Sequence, residues 1–248
     1  MRYGTVSARD SQGNPVQRSV AVYDPPRTEI VGYDELSLTS LATSDYSGVE
    51  RAIREVKAVK PDLHLSLPSN RVDTGPVALS AAANARQRSI TLAPEAATQR
   101  MRDIICKTIT DEMIEQAIDS AFAAGYSSLK MYFMIGLPLE TFAEVQGIVD
   151  LGFKAREIGR RHYGEGGRFT VHVSASNFVP KPHTPFQWFG QNTTAELRRK
   201  VQLVRDAAVK AKGVNVKWHD PAATLAEGIT ARGDRRIGNV LERVWREG

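Results

Sequence analysis

Short apolar runs alternate with amphipathic segments along most of this 248-residue chain. The runs predict strands, and the segments between them repeat apolar residues every three to four positions, as helices do. The predicted strands span 35–41, 63–67, 89–93, 129–135, 170–178 and 214–218. Because strands and helices alternate across short connections, the pattern favours an α/β fold with a parallel sheet and right-handed crossovers.

The run 129–135 is largely apolar and stops at a Gly136-Leu-Pro turn, after which a helix begins. Its composition predicts a strand that is buried on both faces, as in a parallel sheet. Thr141 and Glu144 have the spacing of a capping box, which marks the start of the helix. Active sites of α/β barrels lie at the carboxyl ends of their strands, so this turn predicts an active-site rim.

Helix boundaries elsewhere agree with the alternation. Capping-box pairs, glycines after the last helical turn, and an N-cap residue followed by proline are typical of helix ends. These signals are Ser47 with Glu50, Thr193 with Glu196, Gly125, Gly213, and Asp220 with Pro221. The number of predicted strands favours a partial (β/α) barrel with parallel strands over a closed barrel of eight strands.

The first 31 residues differ in kind from the rest of the chain. They contain four arginines, several glycines and prolines, and little periodicity. The pattern leaves open a short strand near 20–23 and disorder. The predicted organisation is an irregular segment over 1–31, disordered or aberrant, followed by a partial barrel with a C-terminal helical extension over 32–248.

Composition places the chain among ordinary globular proteins, with 42% hydrophobic and 25% charged residues. No apolar stretch approaches the ~18–20 residues of a membrane span, and the first residues lack the apolar core of a signal peptide. A cytoplasmic location is therefore predicted. The single cysteine, Cys106, excludes an internal disulfide framework and a multi-cysteine metal site within this chain.

The net charge of +5 comes largely from clustered arginines. These are Arg156, Arg160 and Arg161 near one helix end, and Arg232, Arg235, Arg236, Arg243 and Arg246 near the carboxyl terminus. A basic patch attracts RNA or phosphorylated substrates, whereas solvated helix faces are the simpler explanation. These segments show no aromatic-interleaved RNA-binding signature.

Four segments resemble, in order, motifs of radical S-adenosylmethionine (SAM) enzymes. The segment 93–107 resembles their fourth-strand region, and Ile135-Gly-Leu-Pro-Leu-Glu-Thr141 resembles their fifth-strand turn. Residues 32–46 resemble the second strand and its loop, and 178–188 resemble a sixth-strand motif. The likeness covers about 32–248 and is strongest to an uncharacterised branch whose members carry a cobalamin-binding-like domain ahead of the barrel.

The resemblance implies a specific pair of cofactors. The family holds a [4Fe–4S] cluster on a Cys-x3-Cys-x2-Cys loop after the first strand, and cluster and SAM together generate a 5′-deoxyadenosyl radical. This chain has one cysteine, on a different strand–helix connection. The expectation is therefore a fragment, the C-terminal portion of a radical SAM enzyme without its first strand and cluster loop. It would be inactive in isolation, with cobalamin confined to the missing domain.

The resemblance also assigns candidate site residues at the strand ends. SAM contacts are expected at Ser40, Ser44, Asp45, Glu95, Gly136 and Pro138, and substrate-side contacts at Ser69, Arg71 and His183. Each has an ordinary alternative, since a glutamate suits a first helical turn and a glycine suits a turn. Arg100 and Arg102 are expected as exposed helical arginines, with contact to the carboxylate of SAM or of an acidic substrate as the alternative. His183 and His219 lack metal-ligand spacing, so no metal site is predicted for them.

Two other functions remain as alternatives. A non-enzymatic barrel remnant would use its basic terminal region to bind RNA or a partner that brings its own cluster, with salt-dependent affinity in the case of RNA. A cluster-free barrel enzyme would act on a phosphorylated metabolite. The sequence shows neither a phosphate-binding loop nor an acid–base pair, so the third hypothesis ranks last.

Overall fold

The computed structural model describes residues 3–9, 15–21, 35–37, 48–66, 88–210 and 213–247. The strands are β1 (Tyr3–Arg9), β2 (Pro15–Ala21), β3 (Glu35–Ser37), β4 (His64–Ser66), β5 (Ser89–Glu95), β6 (Ser128–Ile135), β7 (Thr170–Asn177) and β8 (Val214–Trp218). The α-helices are α1 (Val49–Val59), α2 (Gln99–Ile104), α3 (Asp111–Ala123), α4 (Phe142–Tyr163), α5 (Thr194–Lys210), α6 (Pro221–Arg232) and α7 (Ile237–Glu247). A short 3-10 helix, Pro185–Trp188, lies between β7 and α5.

The main sheet has four parallel strands in the order β5-β6-β7-β8. Ser128 donates its N–H to the Arg88 carbonyl, and Phe178 donates to Ile135. His219 donates to Ala175 in the same way. Two smaller pairs precede this sheet, β1 with β2 antiparallel and β3 with β4 parallel. The predicted α/β fold with a partial parallel barrel is confirmed.

Strand positions follow the hydrophobic pattern closely. Each predicted strand is present, and the ends of β4 to β8 differ from prediction by two residues or fewer. Strand β3 is described only over Glu35–Ser37, and the rest of the predicted strand 35–41 lies outside the described residues. Periodicity succeeds here because strand alternation and helix repeat are local properties of the chain.

The amino-terminal segment is more regular than its composition predicts. Strands β1 and β2 pair antiparallel, with Tyr3 opposite Ala21 and Arg9 opposite Pro15. The intervening sequence contains Gly13 and Asn14, residue types that favour tight turns. The expectation of an irregular 1–31 is therefore wrong for these two strands, while the domain boundary near residue 31 stays a prediction.

Strand β6 is buried on one face only, which corrects the prediction of burial on both faces. Leu129, Met131 and Phe133 are buried, whereas Tyr132 is 42% exposed. Helix α4 packs on the sheet at Gly152, where an added Cβ would lie 3.0 Å from Val173 of β7 and 3.1 Å from Val214 of β8. On the other face of β6, Lys130 and Tyr132 are exposed.

Two compact units divide the chain. The first comprises Met1–Pro94, Thr108–Met131 and Lys154–Val171, and the second comprises Glu95–Lys107, Tyr132–Phe153 and His172–Gly248. An aromatic group of Phe122, Tyr163 and Phe169 packs inside the first unit. In the second unit Ala96, Met101, Leu137 and Phe178 form a buried cluster. The carboxyl ends of the main strands all lie in the second unit, so the candidate site is described within it.

Among the described residues, none of the helices has both the length and the apolar character needed to cross a bilayer. Three predicted helix starts are confirmed by hydrogen bonds at Thr141, Thr193 and Asp220. The predicted box of Ser47 with Glu50 is wrong, because α1 begins one residue later. The N-cap residue is Gly48, which has no side chain that could accept a hydrogen bond from the first helical turn. Ser47 itself lies outside the described residues.

Candidate functional site

The turn between β6 and α4 is anchored by a buried carboxylate. Gly136 adopts a left-handed backbone (φ +86°), and its N–H donates to Glu140 Oε2 at 2.7 Å. The same oxygen accepts from Lys200 Nζ at 2.8 Å, and the two side chains are 4% and 3% exposed. Burial raises the pKa of Glu140, while the Lys200 ammonium and the Gly136 N–H oppose this effect. The ion pair ties the turn to helix α5.

A second carboxylate joins this turn to the loop after β5. Thr141 N–H donates to Glu144 Oε2 at 2.8 Å, and Glu144 N–H donates back to Thr141 Oγ1 at 3.3 Å, which completes the predicted capping box. The other oxygen accepts from Arg100 at 2.7 Å and from Thr98 at 3.2 Å. Burial alone would raise the pKa of Glu144, but these donors outweigh it and hold the pKa below its usual value.

The loop after β5 turns its carbonyl groups inward onto an arginine. Arg102 is fully buried and donates to the carbonyl oxygens of Ala96 at 3.2 Å and Ala97 at 3.1 Å. It also donates to Gln99 Oε1. The expectation of an exposed Arg102 is therefore wrong, because the loop carbonyls need a donor where water does not reach. Arg100 remains largely exposed on the same helix.

The predicted SAM residues at these two turns have different exposures. Glu95 ends β5 with φ +68°, has a side chain 30% exposed, and lies 3.4 Å from Lys107 Nζ. Gly136 and Pro138 are buried. On the substrate side, His183 is exposed with φ +62°, in the loop that follows β7. The other candidates, Ser40, Ser44, Asp45, Ser69 and Arg71, lie outside the described residues.

Replacing Gly136 by alanine is expected to destabilise the protein more than the same change at Gly125. Both glycines are left-handed, which costs a residue with a Cβ about 1–2 kcal/mol. Only at Gly136 would the new Cβ meet neighbours, Leu197 at 2.9 Å and Asn192 at 3.1 Å. At Gly125 nothing lies within 4 Å. Urea unfolding should show an extra loss of about 1–3 kcal/mol for Gly136→Ala, and equal losses would contradict close packing at this turn.

A cavity of about 320 Å³ opens beside this turn, at the carboxyl ends of β6 and β7. Its apolar lining includes Met134, Phe178 and Phe186, and its polar lining includes Ser176 and Asn177. Lys181 and Glu227 line it as a half-exposed ion pair. Small-molecule sites combine apolar walls with a few fixed polar groups in this way. His183 belongs to the same loop but does not line the cavity.

Asn177, one of the residues that line the cavity, has a buried side-chain oxygen without a hydrogen-bond partner. Its amide nitrogen donates to the carbonyl of His219 at 3.1 Å and to Thr224 Oγ1 at 2.8 Å. A carbonyl can only accept, so the bond to His219 fixes which end of the amide is nitrogen. The residue is 8% exposed, and its oxygen, Asn177 Oδ1, is buried without a hydrogen-bond partner. A buried acceptor without a donor costs about 1–3 kcal/mol. Among the described residues, Asn192 Oδ1 is a second buried oxygen of this kind.

Sheet register brings Glu95 next to this cavity. The hydrogen bond from Ser128 to Arg88 sets Glu95 opposite Met134, and the bond from Phe178 to Ile135 sets Met134 opposite Ser176. Neighbouring strands lie about 4.8 Å apart, so Glu95 is one strand away from a residue that lines the cavity. The structure thus brings together Glu95, the Gly136 turn and the cavity at one end of the sheet.

Sequence reasoning missed Asn177, Lys200 and the buried position of Arg102. One signal for Asn177 was available: along β7 it follows the buried positions Val173 and Ala175 at the same two-residue spacing. A polar residue at that position is expected to have a fixed partner or a ligand. No comparable local signal identifies Lys200, because it looks like any lysine on an amphipathic helix.

The sequence of this chain is similar to known proteins. The profile of the radical SAM superfamily matches residues 27–152. Uncharacterized protein MJ0966 of Methanocaldococcus jannaschii is 29% identical over 157 residues, which are 63% of this chain and 33% of that protein. The chain therefore spans about a third of the length of this curated relative.

Solved structures show the same fold. The crystal structure of Streptococcus suis SuiB matches with a TM-score of 0.50 and 10% sequence identity, covering 76% of this chain and 40% of that chain. The crystal structure of SuiB bound to S-adenosylmethionine matches to the same extent. At this identity the likeness concerns the fold alone, and it agrees with the parallel partial barrel described above.

Proposed function

This chain belongs to the radical SAM superfamily, and we propose that it forms the part of the barrel that binds the adenosyl portion of SAM. The observation that carries the proposal is the cavity of about 320 Å³ at the ends of β6 and β7, with Glu95 one strand away from Met134 in its lining. In this family, SAM and an iron–sulfur cluster together supply radical chemistry. The steps assigned to this chain are binding and orientation.

The cavity suits a purine ring in size and chemistry. Its volume of about 320 Å³ lies in the range of small-molecule sites. Phe178 and Phe186 meet edge to face, with ring centroids 5.8 Å apart, and offer an apolar wall to a planar base. The polar lining includes Ser176 and Thr184, whose hydroxyl groups can accept a hydrogen bond from the exocyclic amine of adenine. The base thus gains both apolar burial and one oriented hydrogen bond.

Glu95 is proposed to hold the ribose. Its carboxylate lies one strand from Met134, which lines the cavity, and it is partly exposed. A carboxylate accepts hydrogen bonds from vicinal hydroxyl groups. Gly136 and Pro138 belong to the turn that joins β6, the strand beside Glu95, to α4. The roles of Ser40, Ser44 and Asp45 at the methionine amine, and of Ser69, Arg71 and His183 toward a substrate, stay proposals.

The [4Fe–4S] cluster does not fit the residues of this chain. A three-thiolate site needs three cysteines, and the chain has only Cys106, which is exposed. Within the described ranges, His, Cys, Asp and Glu side chains also form no group of three that could hold a metal ion. We therefore derive no step through the cluster. The fragment hypothesis and a cobalamin-binding domain elsewhere in a longer protein stay predictions.

Equilibrium binding of SAM to the chain tests the proposal. Filling the cavity by Met134→Trp should weaken SAM binding at least about tenfold, because the base and the new ring compete for one space. Tyr132→Trp, at an exposed position of the same strand outside the cavity lining, is the matched control and should leave SAM affinity unchanged. Circular dichroism confirms that each variant is folded. Absence of SAM binding to the unmodified chain, or equal binding by the filled variant, would refute the proposal.

RNA binding gains no support from the basic terminal region. Arg236, Arg243 and Arg246 each form an ion pair with a nearby carboxylate. These pairs neutralise part of the charge that a phosphate backbone would need. The RNA- or partner-binding alternative therefore stays a prediction without a structural observation in its favour.

A further inference from the structure

We propose that helix α7 (Ile237–Glu247) pairs antiparallel with α7 of a second copy of this chain, through one apolar face. This contact is separate from the adenosyl site. Three features of the helix carry it. The helix is amphipathic but unpacked, its apolar face is exposed, and its residue order is self-complementary when two copies run in opposite directions.

Helix α7 has an apolar stripe that the rest of the second unit does not cover. Apolar residues recur at positions 237, 240, 241, 244 and 245, which share one side of an α-helix. Ile237 is half-buried where it packs against Gly233, in the turn after α6. None of the eleven residues of α7 is buried. A helix of this length is only marginally stable in water without packing, so α7 is expected to have a partner.

The exposed stripe is large enough for a weak but specific protein contact. Val240, Leu241 and Val244 are each more than half exposed, and Trp245 is 81% exposed. Together these side chains present on the order of 500 Å² per copy, of which a tryptophan alone supplies about 200 Å². Pairing two copies would bury about 1,000 Å², near the lower limit for a specific interface. A dissociation constant of about 1–100 µM is therefore expected.

The charges beside the stripe favour an antiparallel pair. At about 100° per residue, Arg236 and Glu247 lie on the same side of the stripe, one at each end of the helix. If two copies pair antiparallel about a twofold axis midway along α7, each Arg236 lies opposite the partner's Glu247. Within one chain, Arg236 pairs with Asp234 and Glu247 pairs with Arg243. Both pairs are exposed, so they can rearrange at little cost.

Side-chain size is complementary in the same arrangement. Trp245 lies on the other side of the stripe, and the antiparallel pair places it opposite the partner's Gly238. A Cβ added to Gly238 would meet nothing within 4 Å, so there is open space beside this glycine for an indole ring. The same twofold axis thus matches the largest side chain of α7 with its smallest residue, and a cation with an anion. A contact between two identical surfaces has to be self-complementary in this way.

Sedimentation equilibrium of the unmodified chain and of Leu241→Glu tests the pairing. The unmodified chain should dimerise, and Leu241→Glu should weaken the dimer at least about 30-fold, because the interface would bury an unpaired carboxylate from each copy. Asn239→Glu adds the same charge on the opposite face of α7, and as the matched control it should leave the dimer unchanged. A monomeric unmodified chain would overturn the proposal, and binding of that monomer to phosphatidylglycerol vesicles would assign the stripe to a lipid surface. Equal dimerisation of Leu241→Glu would also overturn it.

A charge exchange tests the direction of the pairing. Arg236→Glu places like charges opposite each other at both ends of the antiparallel pair, and so does Glu247→Arg. Each single variant should weaken the dimer about 3- to 10-fold, and the double variant should restore it to within about twofold. The two residues are about 16 Å apart along one helix, so recovery reports a contact between copies. A double variant that dimerises no better than the single variants would overturn the antiparallel arrangement.

Discussion

Replacing Lys200 by methionine is expected to lower the free energy of unfolding by about 3–5 kcal/mol, because it leaves a buried carboxylate without its cation. Glu140 is 4% exposed, and Lys200 Nζ lies 2.8 Å from its Oε2. After the substitution, the Gly136 N–H is the hydrogen-bond donor that remains to that carboxylate among the described residues. Chemical denaturation of the two proteins measures the difference.

The double variant separates the pair from its parts. Glu140→Gln keeps an oxygen that can accept from Gly136 N–H but strands the Lys200 ammonium, so it should also lose about 3–5 kcal/mol. Combining it with Lys200→Met removes both charges. The double variant should be more stable than either single variant, with a coupling free energy of at least about 2 kcal/mol. Simple addition of the two losses would show that the ion pair is not the source of the effect.

The pH dependence of Lys200→Met has a defined sign. Burial raises the pKa of Glu140 in the folded state, so folding favours the protonated carboxyl. Such a group contributes stability below its unfolded pKa and loses that contribution as the pH rises through the folded pKa. The loss caused by Lys200→Met should therefore be smaller near about pH 5 than near about pH 8. A loss that grows on acidification would contradict a stranded carboxylate.

Local features of this fold could be predicted from the sequence. Strand β8 is where the pattern placed it, and the capping box of Thr141 and Glu144 forms as its spacing predicts. Both depend on residues within one strand or one helical turn. The prediction of two-sided burial for β6 was wrong for a related reason. Tyr132 is apolar enough to suggest a core, although it lies on the more exposed face of the strand.

The site itself depends on partners that are distant along the chain. Glu140 meets Lys200 across 60 positions, and Asn177 meets Thr224 across 47. Hydrophobic periodicity carries no information about such pairs, because it reports only which face of an element is buried. The resemblance directed attention to Glu95 and Gly136, which the structure places beside the cavity. It gave no indication of the buried Glu140–Lys200 pair that anchors the Gly136 turn.

Arg102→Met is expected to lower the free energy of unfolding by about 3 kcal/mol, because two loop carbonyls lose their donor. Arg102 is fully buried, and it holds the carbonyls of Ala96 and Ala97 directly after Glu95. Methionine keeps much of the apolar stem and supplies no N–H. Arg198→Met, at an exposed position of α5, is the matched control and should change stability by less than about 0.5 kcal/mol.

Arg102→Lys distinguishes hydrogen bonding from charge. Lysine retains the positive charge, but its single ammonium cannot match the planar fork that reaches Ala96, Ala97 and Gln99 together. It should therefore recover less than half of the stability lost in Arg102→Met. Because the loop sets the position of Glu95, the lysine variant should also bind SAM more weakly when folded. Full recovery of stability by lysine would show that charge alone, rather than the set of carbonyl contacts, maintains this loop.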